Sequence, residues 1–120
     1  MEKEFIPYEQ ALALKELGFE YVSTIFAYDE TGELYTRSGI PHDFNIRGLL
    51  SAPTFSQVFR WFREKYNLNS FVIDSKSYNW YFNINDMEKD DVISEVLYFK
   101  SYEEAELECL KKLIEIVKNK

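Results

Sequence analysis

The spacing of apolar residues in TFSQVFRWFREKY predicts an amphipathic helix over residues 54–66. Successive residues of a helix turn by about 100°, which places five large side chains in one arc: Phe55, Val58, Phe59, Phe62 and Tyr66. Arg60 and Arg63 fall on the opposite side. Thr54 and Gln57 have the spacing of a capping box at the start of this segment. The sequence therefore predicts a capped helix whose rings face a core.

Two further segments predict helices. PYEQALALKELGF is typical of a short opening helix, with Pro7 at or before its first turn and Gly18 just after its end. SYEEAELECLKKLIEIVKNK is typical of a longer one, because Ser101 and Glu104 form a capping box, acids cluster at its start and lysines lie toward its end. The broad apolar arc of this last helix predicts a central place in the core.

Period-two alternation predicts strands between these helices. EYVSTIFAY and ELYTR flank the loop DETG, which predicts a hairpin with Gly32 in a left-handed conformation. SFVID is a strand candidate, and SYNWYFNI alternates clearly, with Trp80, Phe82 and Ile84 on one face and Tyr81 on the other. SEVLYF is a third candidate, after the acidic connector NDMEKDD.

These elements predict the α+β class. The predicted order is α-ββ-α-βββ-α in a single domain over residues 1–120. Hairpins interspersed with helices favour an antiparallel sheet of four or five strands, covered by helices on one face. Residues 37–53 show no clear period, and a structureless connection of that length is uncommon in a compact domain. This segment is either a functional loop or contains a short hidden element.

Composition narrows the possible partners. The chain has a net charge of −7, so it repels polyanions at long range and needs a local basic patch to bind nucleic acid. One cysteine excludes an intramolecular disulfide, and one Cys with one His cannot supply a Cys-based zinc site. No apolar run approaches the roughly 20 residues of a membrane span, and MEKEFIPYEQ lacks the apolar segment of a secretory signal. We therefore expect a cytoplasmic protein without membrane association.

Three segments carry a resemblance. FIPYEQALALKELGF, LLSAPTFSQVFRWFREKY and SYEEAELECLKKLIEIVK together resemble a group of small uncharacterised proteins of phages and prophages of gut bacteria. The resemblance implies a mobile-element origin and a location in the bacterial host cytosol. It transfers no activity, cofactor or site residue. The connector DMEKDDVISEV and the 37–53 loop depart from the shorter pattern of the group, so no shared ligand follows from it.

Catalytic and metal-binding patterns are weak. His42 stands beside Asp43, but neighbouring side chains on an extended chain point apart, which favours a polar loop over an acid–base pair. Cys109 lies at the centre of the last apolar arc, which predicts a buried, unreactive thiol. The acidic run 86–91 lacks the Gly and terminal Glu of an EF-hand loop. We predict no catalytic residue, no cofactor and no metal ligand.

Two nucleic-acid hypotheses remain beside a protein-binding one. Arg60, Trp61 and Arg63 can form a cationic, aromatic edge, with Tyr35 as a possible neighbour, as in single-strand binders. Inward-facing rings, Glu64 within the basic side and the net charge weaken this nucleic-acid-binding alternative. The second hypothesis is an acidic mimic of nucleic acid, whose carboxylates come from the 86–91 run and the last helix, namely Glu103, Glu104, Glu106 and Glu108.

The preferred function is a non-catalytic accessory module that binds another protein, with a homodimer as a possible state. Too many aromatic residues are present for all to enter a core of this size: Tyr28, Tyr35, Trp61, Tyr78 and Tyr81. Tyr and Trp are favoured anchors at protein interfaces. The predicted interaction residues are Trp61, Arg60, Arg63, Tyr35 and Tyr81. An enzyme ranks third and requires a deep pocket that holds His42 with a carboxylate.

Overall fold

The structure is a computed structural model of the chain. It describes residues 4–19, 26–28, 31–36, 50–76, 79–94 and 97–120. Contacts divide the chain into two compact units, Met1–Gln57 and Val58–Lys120. The single domain over residues 1–120 stays a prediction, because two compact units can unfold together or separately.

The described residues form three helices and six strands. In chain order these are α1 (Tyr8–Glu16), β1 (Phe26–Tyr28), β2 (Leu34–Thr36), β3 (Leu50–Ser51), α2 (Phe55–Tyr66), β4 (Leu68–Asp74), β5 (Trp80–Asp86), β6 (Asp91–Ser94) and α3 (Tyr102–Lys118). The α+β class, with three helices and antiparallel strands, is confirmed.

The predicted strand count and order are wrong. The order in the described residues is α-βββ-α-βββ-α, and the strands form two three-stranded sheets in place of one sheet of four or five. The additional strand is β3, which lies near the end of the 37–53 segment and pairs with β1. A two-residue strand has too few positions to show an alternating pattern, which explains why the sequence concealed it. His42 and the rest of residues 37–49 lie outside the described residues.

The first unit contains the sheet β2-β1-β3 and helix α1. The Tyr28 hydroxyl donates a buried hydrogen bond of 2.7 Å to the Ile6 carbonyl, and the Ile6 N–H donates to the Pro53 carbonyl over 2.9 Å. The rings of Tyr8 and Tyr28 meet edge to face, with centroids 5.5 Å apart. These contacts fasten the N-terminal segment and α1 to the sheet.

The predicted position of Gly18 after α1 and the predicted left-handed conformation of Gly32 are confirmed. Gly18 (φ 92°) follows α1, where its N–H donates to the Lys15 carbonyl and the Phe19 N–H donates to the Leu14 carbonyl. This pair of bonds is a Schellman motif, and both Leu14 and Phe19 are buried beside it. Gly32 has φ 86° in the turn between β1 and β2.

The predicted helix starts are also observed. The Thr54 N–H donates to Gln57 Oε1 over 2.8 Å, and the Gln57 N–H donates to Thr54 Oγ1 over 3.2 Å. At α3 the Ser101 hydroxyl accepts from the Glu104 N–H, but the Glu104 carboxylate accepts from the N–H of Lys100, one residue earlier than in a capping box. Side chains thus satisfy backbone groups that a helix start leaves unpaired.

The second unit contains the antiparallel sheet β4-β5-β6 with α3 packed against β4 and β5. Alternate residues of β5 are buried, including Phe82 and Ile84. The buried residues of α3 form its predicted apolar arc: Ala105, Cys109, Leu110, Leu113, Ile114 and Val117. Helix α3 therefore covers one face of this sheet.

The third predicted strand is displaced. The sequence predicted SEVLYF, whereas β6 begins earlier, at Asp91, directly after the turn Met87–Asp90. Residues 95 and 96 of the predicted strand lie outside the described residues. The buried Asp86 carboxylate accepts from the N–H groups of Glu88 and Lys89, over 3.1 and 3.3 Å, and Asp90 adopts φ 57°. This tight turn starts the next strand within the supposed acidic connector. Phe99 still joins the sheet, through two backbone bonds with Trp80.

No helix in the described residues has the length and apolarity to cross a membrane.

Replacing Tyr28 with Phe tests whether the two units unfold together. Because the change leaves the buried Ile6 carbonyl without its donor, we expect a loss of about 1–3 kcal/mol in unfolding free energy. Both tryptophans, Trp61 and Trp80, lie in the second unit. A single cooperative domain predicts that Tyr28→Phe lowers the urea midpoint measured by tryptophan fluorescence.

The matched control is Tyr8→Phe. The Tyr8 hydroxyl makes no hydrogen bond with the described residues, so we expect its midpoint to stay near that of the wild type. A fluorescence midpoint unchanged in Tyr28→Phe, with exchange of the first unit's amides accelerated, would show that the units unfold independently.

Candidate functional site

The sheet of the second unit has one face that α3 does not cover. Side chains alternate between faces along a strand, so the register assigns the even-numbered residues of β4 and β5 to the helix side. The opposite side, named here the outer face, carries Asn69, Phe71, Ile73, Tyr81, Asn83, Asn85, Val92 and Ser94. Seven of these side chains are described, and none is buried.

Large apolar groups dominate the exposed part of the outer face. Phe71 is 44% exposed and Val92 64% exposed. Tyr98, which is 60% exposed, packs edge to face on Tyr81 with ring centroids 5.9 Å apart, and so extends this face beyond the strands. Large exposed apolar groups gathered on one surface mark interaction sites more often than scattered ones do.

The outer face contains no charged residue. The polar groups among its described side chains are three asparagines: Asn69, Asn83 and Asn85. An amide both donates and accepts hydrogen bonds, and it loses far less hydration free energy on burial than a charge does. This face can therefore be desolvated against a partner without burying an ion.

The predicted cationic edge on α2 is largely engaged within the helix. Arg60 is exposed, and its Nε lies 2.8 Å from Glu64 Oε1. The half-buried Trp61 ring contacts the rings of Phe62 and Tyr66, with centroids 5.0 and 5.3 Å away. Lys65 Nζ lies 5.3 Å from the centroid of the Trp61 ring. A lysine thus occupies a ring face on which a base would have to stack.

The remaining predicted interaction residues lie in different places. Arg63 is exposed on the same helix as Trp61. Tyr81 is on the outer face of the sheet. Tyr35 belongs to β2 in the first unit, and its side chain lies outside the described residues, as does Tyr78. The membership of Tyr35 in an interaction site stays a prediction.

The start of α3 holds a small group of titratable side chains. The Tyr102 hydroxyl donates a hydrogen bond to the Glu106 carboxylate, and the Tyr102 ring meets Trp80 edge to face at 5.4 Å. Burial raises the pKa of Glu106, and the hydrogen bond from Tyr102 opposes this rise. Burial also raises the pKa of Tyr102. Perturbed groups can indicate a functional site, but here burial at the start of α3 and the neighbouring Glu103 carboxylate account for the raised pKa of both groups.

Cys109 is a core residue. It is fully buried, and burial raises the pKa of its thiol to about 12, against a hydrogen bond with the Ser70 side chain that lowers it. A thiol with that pKa carries almost no thiolate at neutral pH, and thiolate is the nucleophile. Its interpretation as a small buried hydrophobe is confirmed.

The acidic residues proposed for nucleic-acid mimicry are mostly committed to the fold. The Asp86 carboxylate is buried in the β5–β6 turn, and Glu104 accepts from the Lys100 N–H at the start of α3. Glu108 lies 2.9 Å from Lys111 Nζ, and Glu88 accepts from the Asn67 amide. Because mimicry requires exposed and uncompensated carboxylates, these contacts weaken that hypothesis.

A ligand pocket is not apparent in the described residues. They contain no group of three His, Cys, Asp or Glu side chains placed to hold a metal ion. An open groove of about 430 Å³ runs along the end of α3, lined by Lys111, Ile114, Glu115, Lys118 and Asn119. All five belong to one helical segment, so they do not converge on a ligand as the walls of a binding site do.

Of the residues on the outer face, Tyr81 is among the predicted interaction residues, whereas Phe71, Val92 and Tyr98 are not. One signal was present: in LNSFVID the apolar residues Phe71, Val72 and Ile73 are consecutive, so both faces of β4 carry apolar side chains. In a sheet with a helix on one side, such a strand must expose some of them. The exposed ones can be identified only when it is known which face of the sheet α3 covers.

Comparisons with family models, curated proteins and solved structures give no match for this chain. The resemblance to phage and prophage proteins therefore stays a prediction.

The raised pKa of Glu106 predicts a pH-dependent effect of Glu106→Gln. The folded protein binds this proton more tightly than the unfolded chain, so the associated stabilisation is present below about pH 4 and is lost as the pH rises through the folded pKa. At pH 7 the partly buried carboxylate costs stability. We expect Glu106→Gln to gain less than about 1 kcal/mol at pH 7, because solvent screens the group, and nothing at pH 3.5.

Urea midpoints at the two pH values measure this effect. Glu104→Gln serves as the control, since it removes an exposed carboxylate charge in the first turn of the same helix, where negative charge is favourable, and keeps an acceptor oxygen for the Lys100 N–H. We expect no gain from the control. Equal gains from both variants at pH 7 would assign the effect to net charge and not to burial of Glu106.

Proposed function

We propose that the chain is a non-catalytic module that binds another protein through the outer face. The observation that carries this proposal is an uncharged sheet surface on which Phe71, Val92 and Tyr98 are exposed. Depletion of charge and enrichment in aromatic residues are the features that distinguish the core of a protein interface from ordinary surface.

The arrangement of the outer face supports a protein partner. Phe71 on β4 and Tyr81 on β5 are diagonal neighbours across the strand pair, about 7–8 Å apart, so one large partner side chain can contact both. Tyr81 and Tyr98 support each other edge to face, which reduces the entropy that these rings lose on binding. Paired aromatic residues of this kind are frequent anchors of binding energy.

A nucleic-acid partner fits the outer face less well. Phosphate groups supply most of the affinity of nucleic-acid binding through Lys and Arg contacts, and the outer face has neither residue. The alternative is binding at the Arg60, Trp61 and Arg63 edge, where Arg63 is exposed. Lys65 adds positive charge to that edge, whereas the Glu64 carboxylate compensates the charge of Arg60.

The biological setting is a further part of the proposal. The three resembling segments favour an accessory protein of a phage or mobile element that acts in the cytosol of a bacterial host. Its partner is then a host or phage protein with an apolar, weakly charged surface patch.

Capture from bacterial lysate tests the proposed surface, with and without nuclease. We expect wild-type protein to retain a partner irrespective of nuclease, and the double variant Val92→Ser, Tyr98→Ser to lose at least tenfold in retention, about 1.4 kcal/mol. Both side chains are more than half exposed, so their replacement is expected to leave the fold intact.

The matched control replaces two exposed cations, Arg60→Gln with Arg63→Gln, and we expect it to retain the partner fully. Retention that disappears with nuclease and in the arginine variant would establish the nucleic-acid alternative. A partner retained equally by all variants would place binding elsewhere on the chain.

A further inference from the structure

Strand β4 has seven residues and is an edge strand of the sheet β4-β5-β6, and within the described part of the second unit β5 is the strand that pairs with it. Two backbone hydrogen bonds at the ends of the β4–β5 pair show which residues of β4 bond to β5. The Met87 N–H donates to the Asn67 carbonyl, and the Ser75 N–H donates to the Asn79 carbonyl. In an antiparallel pair, bonded and non-bonded residues alternate. Given the register, the odd residues Asn69, Phe71 and Ile73 bond to β5.

The even residues of β4 therefore direct their backbone groups away from the sheet. These residues are Leu68, Ser70, Val72 and Asp74. Within the described part of the chain, no hydrogen bond reaches their backbone N–H and C=O groups, and β5 and α3 are the elements that pack most extensively on β4. Four donors and four acceptors form an open template for another strand.

The sequence of β4 offers little protection against such pairing. Edge strands of natural proteins are usually short, or carry Pro, Lys, bulges or inward-pointing charges that prevent association. LNSFVID contains no Pro, no Lys and no Gly, and its single charge is at the last residue. The opposite edge differs, because β6 has only four residues and begins with Asp91.

We propose that a second copy of this chain pairs antiparallel along β4, with the two-fold axis at Phe71, to form a continuous six-stranded sheet. In this register Ser70 lies opposite Val72 of the other copy and Leu68 opposite its Asp74. All four outward residues of each strand then exchange hydrogen bonds. A strand identical to β4 satisfies the whole edge, which is why the occupant is a second copy.

Side chains agree with this register. Phe71 meets its own copy at a non-hydrogen-bonded position, where cross-strand side chains are closest. Its 44% exposure supplies the apolar surface that such a contact buries. Ile73 lies opposite Asn69 of the other copy, and both are half-buried in the single chain. The outer faces of the two copies then form one surface.

The charges of the two copies are also compatible with this dimer. The two Asp74 residues lie at opposite ends of the paired strands, about 20 Å apart at 3.4 Å per residue, which exceeds the Debye length of about 8 Å in physiological salt. Each copy carries a net charge of −7, so their general repulsion is screened by salt. We expect association to strengthen between 20 and 300 mM NaCl, the reverse of nucleic-acid binding.

Sedimentation equilibrium of the whole protein tests the dimer. We expect wild type to approach twice the chain mass of 14.3 kDa at 100 μM, and Phe71→Lys, which places two ammonium groups opposite each other, to raise the dissociation constant at least tenfold. Val92→Lys introduces the same charge on β6, away from the axis, and should dimerise as wild type does. A monomeric wild type, or equal losses in the two variants, would overturn the proposal.

Oxidative crosslinking tests the register. Opposed Cα atoms at a non-hydrogen-bonded position are about 4.5 Å apart, within the range that a disulfide spans, so Phe71→Cys should form a covalent dimer. In Ile73→Cys the two thiols are four residues apart along the pair, roughly 14 Å, and should not crosslink. The buried Cys109 contributes no background. Crosslinking by Ile73→Cys alone would disprove the register.

The dimer and the proposed protein-binding function can fail separately. Val92→Ser with Tyr98→Ser removes exposed groups far from the two-fold axis, so loss of partner capture in a dimeric variant concerns the outer face alone. A monomeric wild type that still captures a partner through that face would leave the proposed function standing and remove the dimer.

Discussion

The structure of the second unit depends on which face of β5 packs against α3. Phe82 and Ile84 are buried on the helix side, and the period of two in a strand then obliges Tyr81 to face the opposite way. One helix covers one face of a three-stranded sheet. The apolar side chains of β4 on the far side, Phe71 and Ile73, remain partly in water, and this exposure is the origin of the candidate site.

Helix α2 likewise uses its apolar side for packing, which limits the surface that it offers to a nucleic acid. Its apolar arc is used internally, since Val58 and Phe62 are fully buried. The polar side of the helix then pairs with itself, as Arg60 with Glu64 one turn later. Exposed pairs of this type contribute little to stability, but they reduce the positive potential that a phosphate would experience. The contacts of Arg60 and Trp61 therefore reduce the cationic and aromatic surface that α2 offers to a nucleic acid, and Arg63 remains exposed on it.

Local signals in the sequence predicted helix starts and turns well, because the physics of these features is local. Thr54 with Gln57, Ser101 and the two left-handed glycines each act within a few residues. The strands were harder. The Asp86 carboxylate closes a turn by accepting two backbone N–H groups, so β6 begins at Asp91, three residues before the predicted strand SEVLYF. The short β3 depends on its partner β1 and has no pattern of its own.

The candidate site was only partly predictable for a related reason. Tyr81 followed from alternation, whereas Phe71 and Tyr98 required tertiary information: the face that α3 covers, and the chain path that returns Tyr98 to Tyr81. Trp61 was favoured as an interaction residue because helical periodicity places it at the edge of the apolar arc. The spacing of four residues places Lys65 beside Trp61 on the wheel, but it does not show that the Tyr66 ring also lies against the indole.

Exposed apolar groups alone do not identify an interface, because more than half of an ordinary protein surface is apolar. The absence of charge is the stronger argument. Charged residues make up 29% of the chain, so eight average positions carry about two charges, and surface positions carry more. The outer face has none across its eight positions. Charged residues on a solvated sheet face increase the solubility of the protein. On a face that is desolvated against another protein, each unpaired charge instead costs binding free energy.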